Sequence, residues 1–216
     1  MKSFDFYEIV ALICPGIILL LGVYCFCPHV IYIPGTPKFF DISIGAAALQ
    51  FIIALVLGHY VQFLGRQLEK VFWIKRGMPT TWLKKEGNLF SGQQYEDLIK
   101  YLGLDGFDFS KDIDNKALHS FLRNKIDDSN RQLYIFNSQY GMFRGLSCVW
   151  VILIILISVE KYCYDHGSGA TIWLCVLLEI FSLIRMNNFG VYYARDLYSK
   201  YLIVAKKESE CKSIKA

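Results

Sequence analysis

Four stretches of this chain carry almost no charge, and that blocked pattern constrains its fold more than any other feature. Ile9–Cys27, Ile42–Gly65 and Gly145–Val159 contain no Asp, Glu, Lys or Arg, and Ala170–Ile184 contains only Glu179. A helix needs about 20 predominantly apolar residues to cross a bilayer. Only helices and closed barrels satisfy every backbone polar group there. The first two runs are long enough unaided. The third and fourth borrow flanks, Arg144 and Tyr162 for one and Arg185 for the other, whose polar ends reach the interface. Hydrophobic residues are 54% and charged residues 19% of the 216, and the apolar excess over an ordinary soluble domain sits in these runs. The expected fold is all-α, a polytopic membrane protein with four transmembrane helices and a helical cytoplasmic insertion. Residues 1–65 hold the first two spans, 66–144 the insertion, 145–188 the last two spans and 189–216 a tail.

Basic residues predict the orientation. The connection Pro28–Asp41 has one, Lys38, and Glu160–Gly169 has one, Lys161, whereas Arg66–Arg144 has thirteen and the tail from Arg185 has seven. Positive charge is retained in the cytoplasm, so both termini and the insertion are expected inside a multi-pass protein of the inner membrane. The first run reads as an uncleaved anchor: Asp5 and Glu8 offset Lys2, and no small-x-small cleavage site follows. The seven cysteines show no CxxC spacing and no histidine at zinc-ligand spacing, so no metal or cofactor motif is present. Cys14, Cys148 and Cys175 fall within spans, while Cys25, Cys27 and Cys163 lie near the outer face, where pairing is chemically open.

The insertion reads as helices without catalytic chemistry. Gln67–Arg76 continues the second span, and Gly77 and Pro79 mark its end. Ser91-Gly-Gln-Gln is a capping box that opens a helix closing at Gly103. Tyr95, Leu98, Ile99 and Leu102 share one face of it. Asp105-Gly-Phe-Asp-Phe-Ser is turn-like. Leu118, Phe121, Leu122, Ile126 and Leu133 outline a further helix with a break at Asp127-Asp128-Ser129-Asn130. No phosphate loop, nucleophile elbow or HExxH occurs. Aromatic residues including Trp73, Trp82 and Phe90 interleave with Lys75, Arg76, Lys84 and Lys85. That mixture suits stacking and charge-pairing with a nucleotide or oligonucleotide, and equally a solvated interfacial surface. Of these, Arg76, Lys84 and Lys85 are the candidate ligand-binding residues.

Polar groups inside the spans are the other candidates, because an ionisable side chain at the centre of a spanning helix costs about 2.5–3.5 kcal/mol on insertion scales. Glu179 is such a residue. His59, Gln62 and Arg66 fall on one face of the second span at 100° per residue. His59 lies seven residues before Arg66 and Glu179 six before Arg185, so both lie at similar depth and either pair within a protomer or line a shared axis. Ala54-xxx-Gly58 permits close helix approach. Pro15-Gly16 frees a backbone carbonyl in the first span and permits a kink or hinge. An acidic ring formed by one Glu179 per copy favours cations. A single four-helix chain has no room for a wide aqueous path, so a pore requires several copies.

Phe4-Asp-Phe-Tyr-Glu-Ile-Val-Ala-Leu-Ile-Cys-Pro-Gly-Ile-Ile-Leu-Leu at the start resembles the first span of small bacterial membrane proteins from anti-phage defence loci. Tyr140-Gly-Met-Phe-Arg-Gly-Leu-Ser and Phe189-Gly-Val-Tyr-Tyr-Ala-Arg-Asp-Leu-Tyr-Ser-Lys-Tyr-Leu carry the same resemblance. The plan is similar to the transmembrane effectors of nucleotidyltransferase-linked, Hailong-type systems. That resemblance implies a homo-oligomeric ion channel, opened by a nucleotide or oligonucleotide signal from a partner nucleotidyltransferase and depolarising the inner membrane. Glu179 would then set pore charge, His59 and Gln62 would hold or wet the path, and Pro15-Gly16 would flex. Two other readings are open: a scaffold anchoring a cytoplasmic partner, and a membrane enzyme using Glu179 and His59 as acid and base.

Overall fold

The computed structural model describes residues 6–27, 29, 44–74, 77, 90, 92–107, 115–126, 131–165 and 168–215. Among them the chain forms α1 (Phe6–Phe26), α2 (Ile44–Trp73), α3 (Gly92–Leu104), α4 (Asn115–Lys125), α5 (Arg131–Tyr164) and α6 (Gly169–Lys215), with no strand. Four are long and apolar enough to cross a membrane, within Ile9–Phe26, Ala47–Trp73, Arg131–Tyr164 and Gly169–Cys211. The chain is thus the all-α polytopic membrane protein that its apolar runs predict. Its contacts divide it into two compact units. The membrane unit comprises Met1–Ile74 and Ser138–Met186, and the insertion–tail unit comprises Lys75–Asn137 and Asn187–Ala216.

Close approach of α1 and α2 organises the membrane unit. A Cβ added at Gly16 would lie 1.9 Å from the Ala54 carbonyl oxygen, and one at Gly58 would lie 2.2 Å from the Leu12 carbonyl oxygen. Only hydrogen fits at either place, so Ala54-xxx-Gly58 acts as a small-residue seam and Gly16 is the residue that docks on it. Further along, Leu19 and Cys27, Val61 of α2, Cys148, Val149, Leu153 and Ile157 of α5, and Cys175 of α6 form one buried cluster. All seven cysteines are free thiols. On α2 the buried residues Ala54, Gly58, Val61, Gly65, Glu69 and Trp73 recur every three to four positions, which fixes one side of this helix toward the protomer interior.

The insertion–tail unit has its own core. Leu98 and Leu102 of α3, Leu118 and Leu122 of α4 with Ile126 beyond it, and Ala194, Leu197, Tyr198, Tyr201 and Ala205 of α6 pack together. Each set follows a three-to-four spacing, the stripe an amphipathic helix buries. The α3 helix closes later than Gly103 suggests. Phe107 N–H donates to Leu102 C=O at 3.0 Å and Gly106 N–H to Gly103 C=O at 3.1 Å, with Gly106 at φ +94°. This is a Schellman closure, so the left-handed position falls on Gly106 and Gly103 stays within the last turn. Polar contacts finish the unit: Tyr201 Oη donates to Asp105 at 2.7 Å, Lys125 pairs with Glu208 at 2.9 Å, and Lys206 with Asp97 at 2.9 Å.

The fourth span and the tail lie on one helix, α6, whose 47 residues run from Gly169 to Lys215. No proline interrupts the sequence there, and the apolar spacing from Ala194 to Ala205 continues a helical repeat. Its first part belongs to the membrane unit and its second to the insertion–tail unit.

Candidate functional site

Two polar clusters occupy the membrane unit on its α2–α5 and α5–α6 sides. The first begins with Pro15, which lacks an N–H and therefore leaves the carbonyl four residues earlier, that of Ala11, without its helical donor. Gln62 Nε2 donates to that oxygen at 2.9 Å and to the Gly141 carbonyl at 2.9 Å. Its Oε1 accepts from Arg144 Nη2 at 3.0 Å. Arg144 Nη1 donates to Glu69 Oε2 at 2.9 Å, and Glu69 Oε1 accepts from Tyr140 Oη at 2.6 Å. Tyr140 Oη in turn accepts from Trp73 Nε1 at 3.1 Å. The chain of contacts joins α1, α2 and α5.

Steric fit supports the same junction. A Cβ at Gly145 would meet Gln62 Nε2 at 2.7 Å and Pro15 Cγ at 2.8 Å, and one at Gly65 would meet the Arg144 carbonyl oxygen at 3.1 Å. Glu69 is 7% exposed, so its carboxylate is removed from solvent and needs the guanidinium and the phenol together. Around the Pro15-Gly16 pair, expected as a hinge, Gln62 caps the Ala11 carbonyl that the proline frees and the Ala54–Gly58 seam encloses Gly16.

Glu179 belongs to the second cluster. Its Oε1 accepts from Ser147 Oγ at 2.7 Å, while its buried Oε2 has no hydrogen-bond partner among the described residues. One turn away, Trp150 Nε1 donates to Ser182 Oγ at 3.0 Å. Nearer Arg185, the guanidinium lies 5.7 Å from the Phe143 ring centroid and 5.9 Å from that of Phe181, within cation–π range of both. The carboxyl group therefore sits against a hydroxyl, and the nearby apolar side chains Leu177, Ile180 and Phe181 of the same helix are exposed.

His59 and Glu179 do not meet. The His59 side chain is exposed on α2 and forms no hydrogen bond or ion pair among the described residues. Gln62 turns toward the interior, so the stripe of His59, Gln62 and Arg66 is divided between two environments. Arg76, Lys84 and Lys85 lie outside the described residues. A third polar contact was not anticipated: Glu160, fully buried, accepts from His29 N–H at 2.9 Å and contacts its Nδ1 at 3.0 Å. The His29 ring stacks on Tyr164 with centroids 5.2 Å apart.

Sequence reasoning missed Glu69, Tyr140, Arg144 and Ser147 as interacting groups. The available signal was position: Glu69 is seven residues beyond Gln62, on the helix face already marked by Ala54 and Gly58. Tyr140, Arg144 and Ser147 share a helical face through three- and four-residue steps, which aims all three at neighbouring helices. No family model matches the chain, and neither the curated proteins nor the solved structures contain a match.

Proposed function

We propose that this chain is the subunit of a homo-oligomeric ion channel of the inner membrane, gated by a signal acting on its insertion–tail unit, and that it serves as a depolarising effector in anti-phage defence. The observation that carries the reading is Glu179: an ionisable side chain in the fourth span with one hydroxyl partner and a second oxygen that no group in the described chain satisfies. Such a residue marks an ion path or an assembly axis more readily than a passive packing position. One carboxyl group per copy, arranged round an axis, supplies the acidic ring that draws cations.

Gating follows from chain continuity. The helix that carries Glu179 also supplies Ala194, Leu197, Tyr198, Tyr201 and Ala205 to the core of the insertion–tail unit. A ligand on that unit opens the path only by binding one of two states more tightly. An anionic signal such as a nucleotide or oligonucleotide suits the basic residues Arg76, Lys84 and Lys85. The basic-residue asymmetry supports placing both termini and the insertion in the cytoplasm.

Native mass determination in detergent, joined to ion flux from reconstituted vesicles, tests the proposal. A defined homo-oligomer with cation flux is expected. A monomer that conducts nothing favours the alternative of an anchor for a cytoplasmic partner, which the separate core of the insertion–tail unit would serve.

A further inference from the structure

The core of the insertion–tail unit is not filled to its edge. Between α3 and α6, beside Phe90, lies a cavity of about 170 Å³. Its walls reach Leu98 and Tyr198, which are 1% and 2% exposed, and Gln94 and Ile203 line it from exposed positions. A well-packed core leaves few gaps larger than a water molecule. The Phe90 and Tyr198 rings meet edge to face, with centroids 6.1 Å apart and planes at 86°, so two aromatic walls stand at right angles. Two polar side chains line the same space, Gln94 from the first turn of α3 and Ser199 from α6. Neither makes a hydrogen bond among the described residues. No Asp, Glu, Lys, Arg or His is among the described residues that line it.

We infer that this cavity is a binding site for the base of a nucleotide, with the sugar and phosphate left outside it. Size is the first argument. A cavity of about 150 Å³ holds one benzene ring, so this one suits a single flat ring system and is too small for a whole nucleotide. Charge is the second. A phosphate taken into a space without a cation would lose its hydration uncompensated, whereas an uncharged base loses little and gains a π face to stack on. The polar pair is the third. The Gln94 carboxamide offers a donor and an acceptor side by side, and the Ser199 hydroxyl can do either. A base edge alternates donors and acceptors and can use both groups, while a hydrocarbon ligand would leave them unpaired. The inference deepens the proposed gating and rests on that reading, because the walls come from α3 and from α6, the helix that carries Glu179.

Calorimetric titration of the full-length protein in detergent tests the site. The probes are the 5′-monophosphates of adenosine, guanosine, cytidine and uridine. Ribose 5-phosphate, which lacks the base, and phenyl phosphate, which lacks the hydrogen-bonding edge, are the controls. At least one nucleotide should bind, and both controls should bind more weakly. Gln94→Ala and Ser199→Ala should each weaken that nucleotide by about two- to tenfold, the worth of one hydrogen bond. Three results overturn the site and leave the channel proposal standing: no nucleotide binding above ribose 5-phosphate, phenyl phosphate binding as tightly as any nucleotide, or affinities that neither substitution moves. Cation flux through the nucleotide-free oligomer in vesicles reads the channel separately, and its absence counts against that proposal alone. A nucleotide that binds through Gln94 and Ser199 yet leaves the flux unchanged overturns the link to gating.

Discussion

Gln62 gives the sharpest test of how the membrane unit is held together, because one amide serves three helices. Gln62→Leu keeps the side-chain bulk and removes two donated hydrogen bonds and one accepted from Arg144. Two groups lose partners that the backbone cannot replace: the Ala11 carbonyl freed by Pro15, and Arg144 Nη2. An unsatisfied buried polar group costs about 1–3 kcal/mol. Interhelical hydrogen bonds in bilayers average nearer 0.6 kcal/mol. Together these place the loss at about 2–5 kcal/mol for the variant. Pro15→Ala restores an N–H to the first span, which can donate to Ala11 within the helix. In that background Gln62→Leu strands one group fewer, so the double variant should be more stable than the sum of the single effects by about 1 kcal/mol. Reversible unfolding in bicelles measures all four proteins on one scale. Strict additivity would refute the assignment of Gln62 as the partner of the proline-freed carbonyl, and wild-type stability in Gln62→Leu would refute the role of the cluster altogether.

Gly16→Val should fail to form the close α1–α2 contact, since its Cβ would fall 1.9 Å from the Ala54 carbonyl oxygen; protease resistance of the detergent-solubilised protein reads this, and a fully resistant variant would mean that the crossing is looser than described. Glu69→Gln leaves Arg144 buried without its anion and should lower stability by about 3–5 kcal/mol, as broken buried pairs do; an unchanged melting temperature would contradict it. His119 has its pKa held below the ordinary 6.5 by burial first and by the Arg123 charge second, and its Nε2 lies 3.0 Å from Tyr193 Oη. The unfolded chain then binds the proton more readily, so stability is full above pH 6.5 and falls as pH drops through 6.5 toward the folded value. Thermal melts between pH 7.5 and 5 should show that fall, His119→Gln should reduce it, and a variant with the same slope as wild type would exclude His119 as its source.

The number of spans was legible because bilayer thickness converts directly into run length, and each run carries that signal by itself. The insertion helices were legible in their stripes, with Leu98–Leu102 and Leu118–Leu122 both buried as their spacing implies. What periodicity could not give is the partner of each polar group. Gln62 and His59 lie three residues apart with similar polarity, yet one turns to a carbonyl on α1 and the other outward. That choice depends on where α1 and α5 pass. Pro15 announced a free carbonyl, but the donor sits 47 residues beyond Pro15 on another helix. The continuity of α6 was hidden by Arg185, which reads as the end of a span, whereas its guanidinium is accommodated on Phe143 and Phe181.

The central claim is that copies of this chain pass cations past Glu179. It is tested most directly by cation flux from vesicles loaded with many copies, comparing wild type with Glu179→Gln at matched oligomeric mass. Glutamine keeps the size of the side chain and can still bond Ser147, so assembly should persist. The account predicts a basal cation leak above that of empty vesicles for wild type and a clearly smaller one for the variant. No leak from the wild-type oligomer, or an undiminished leak through an intact Glu179→Gln oligomer, would contradict it.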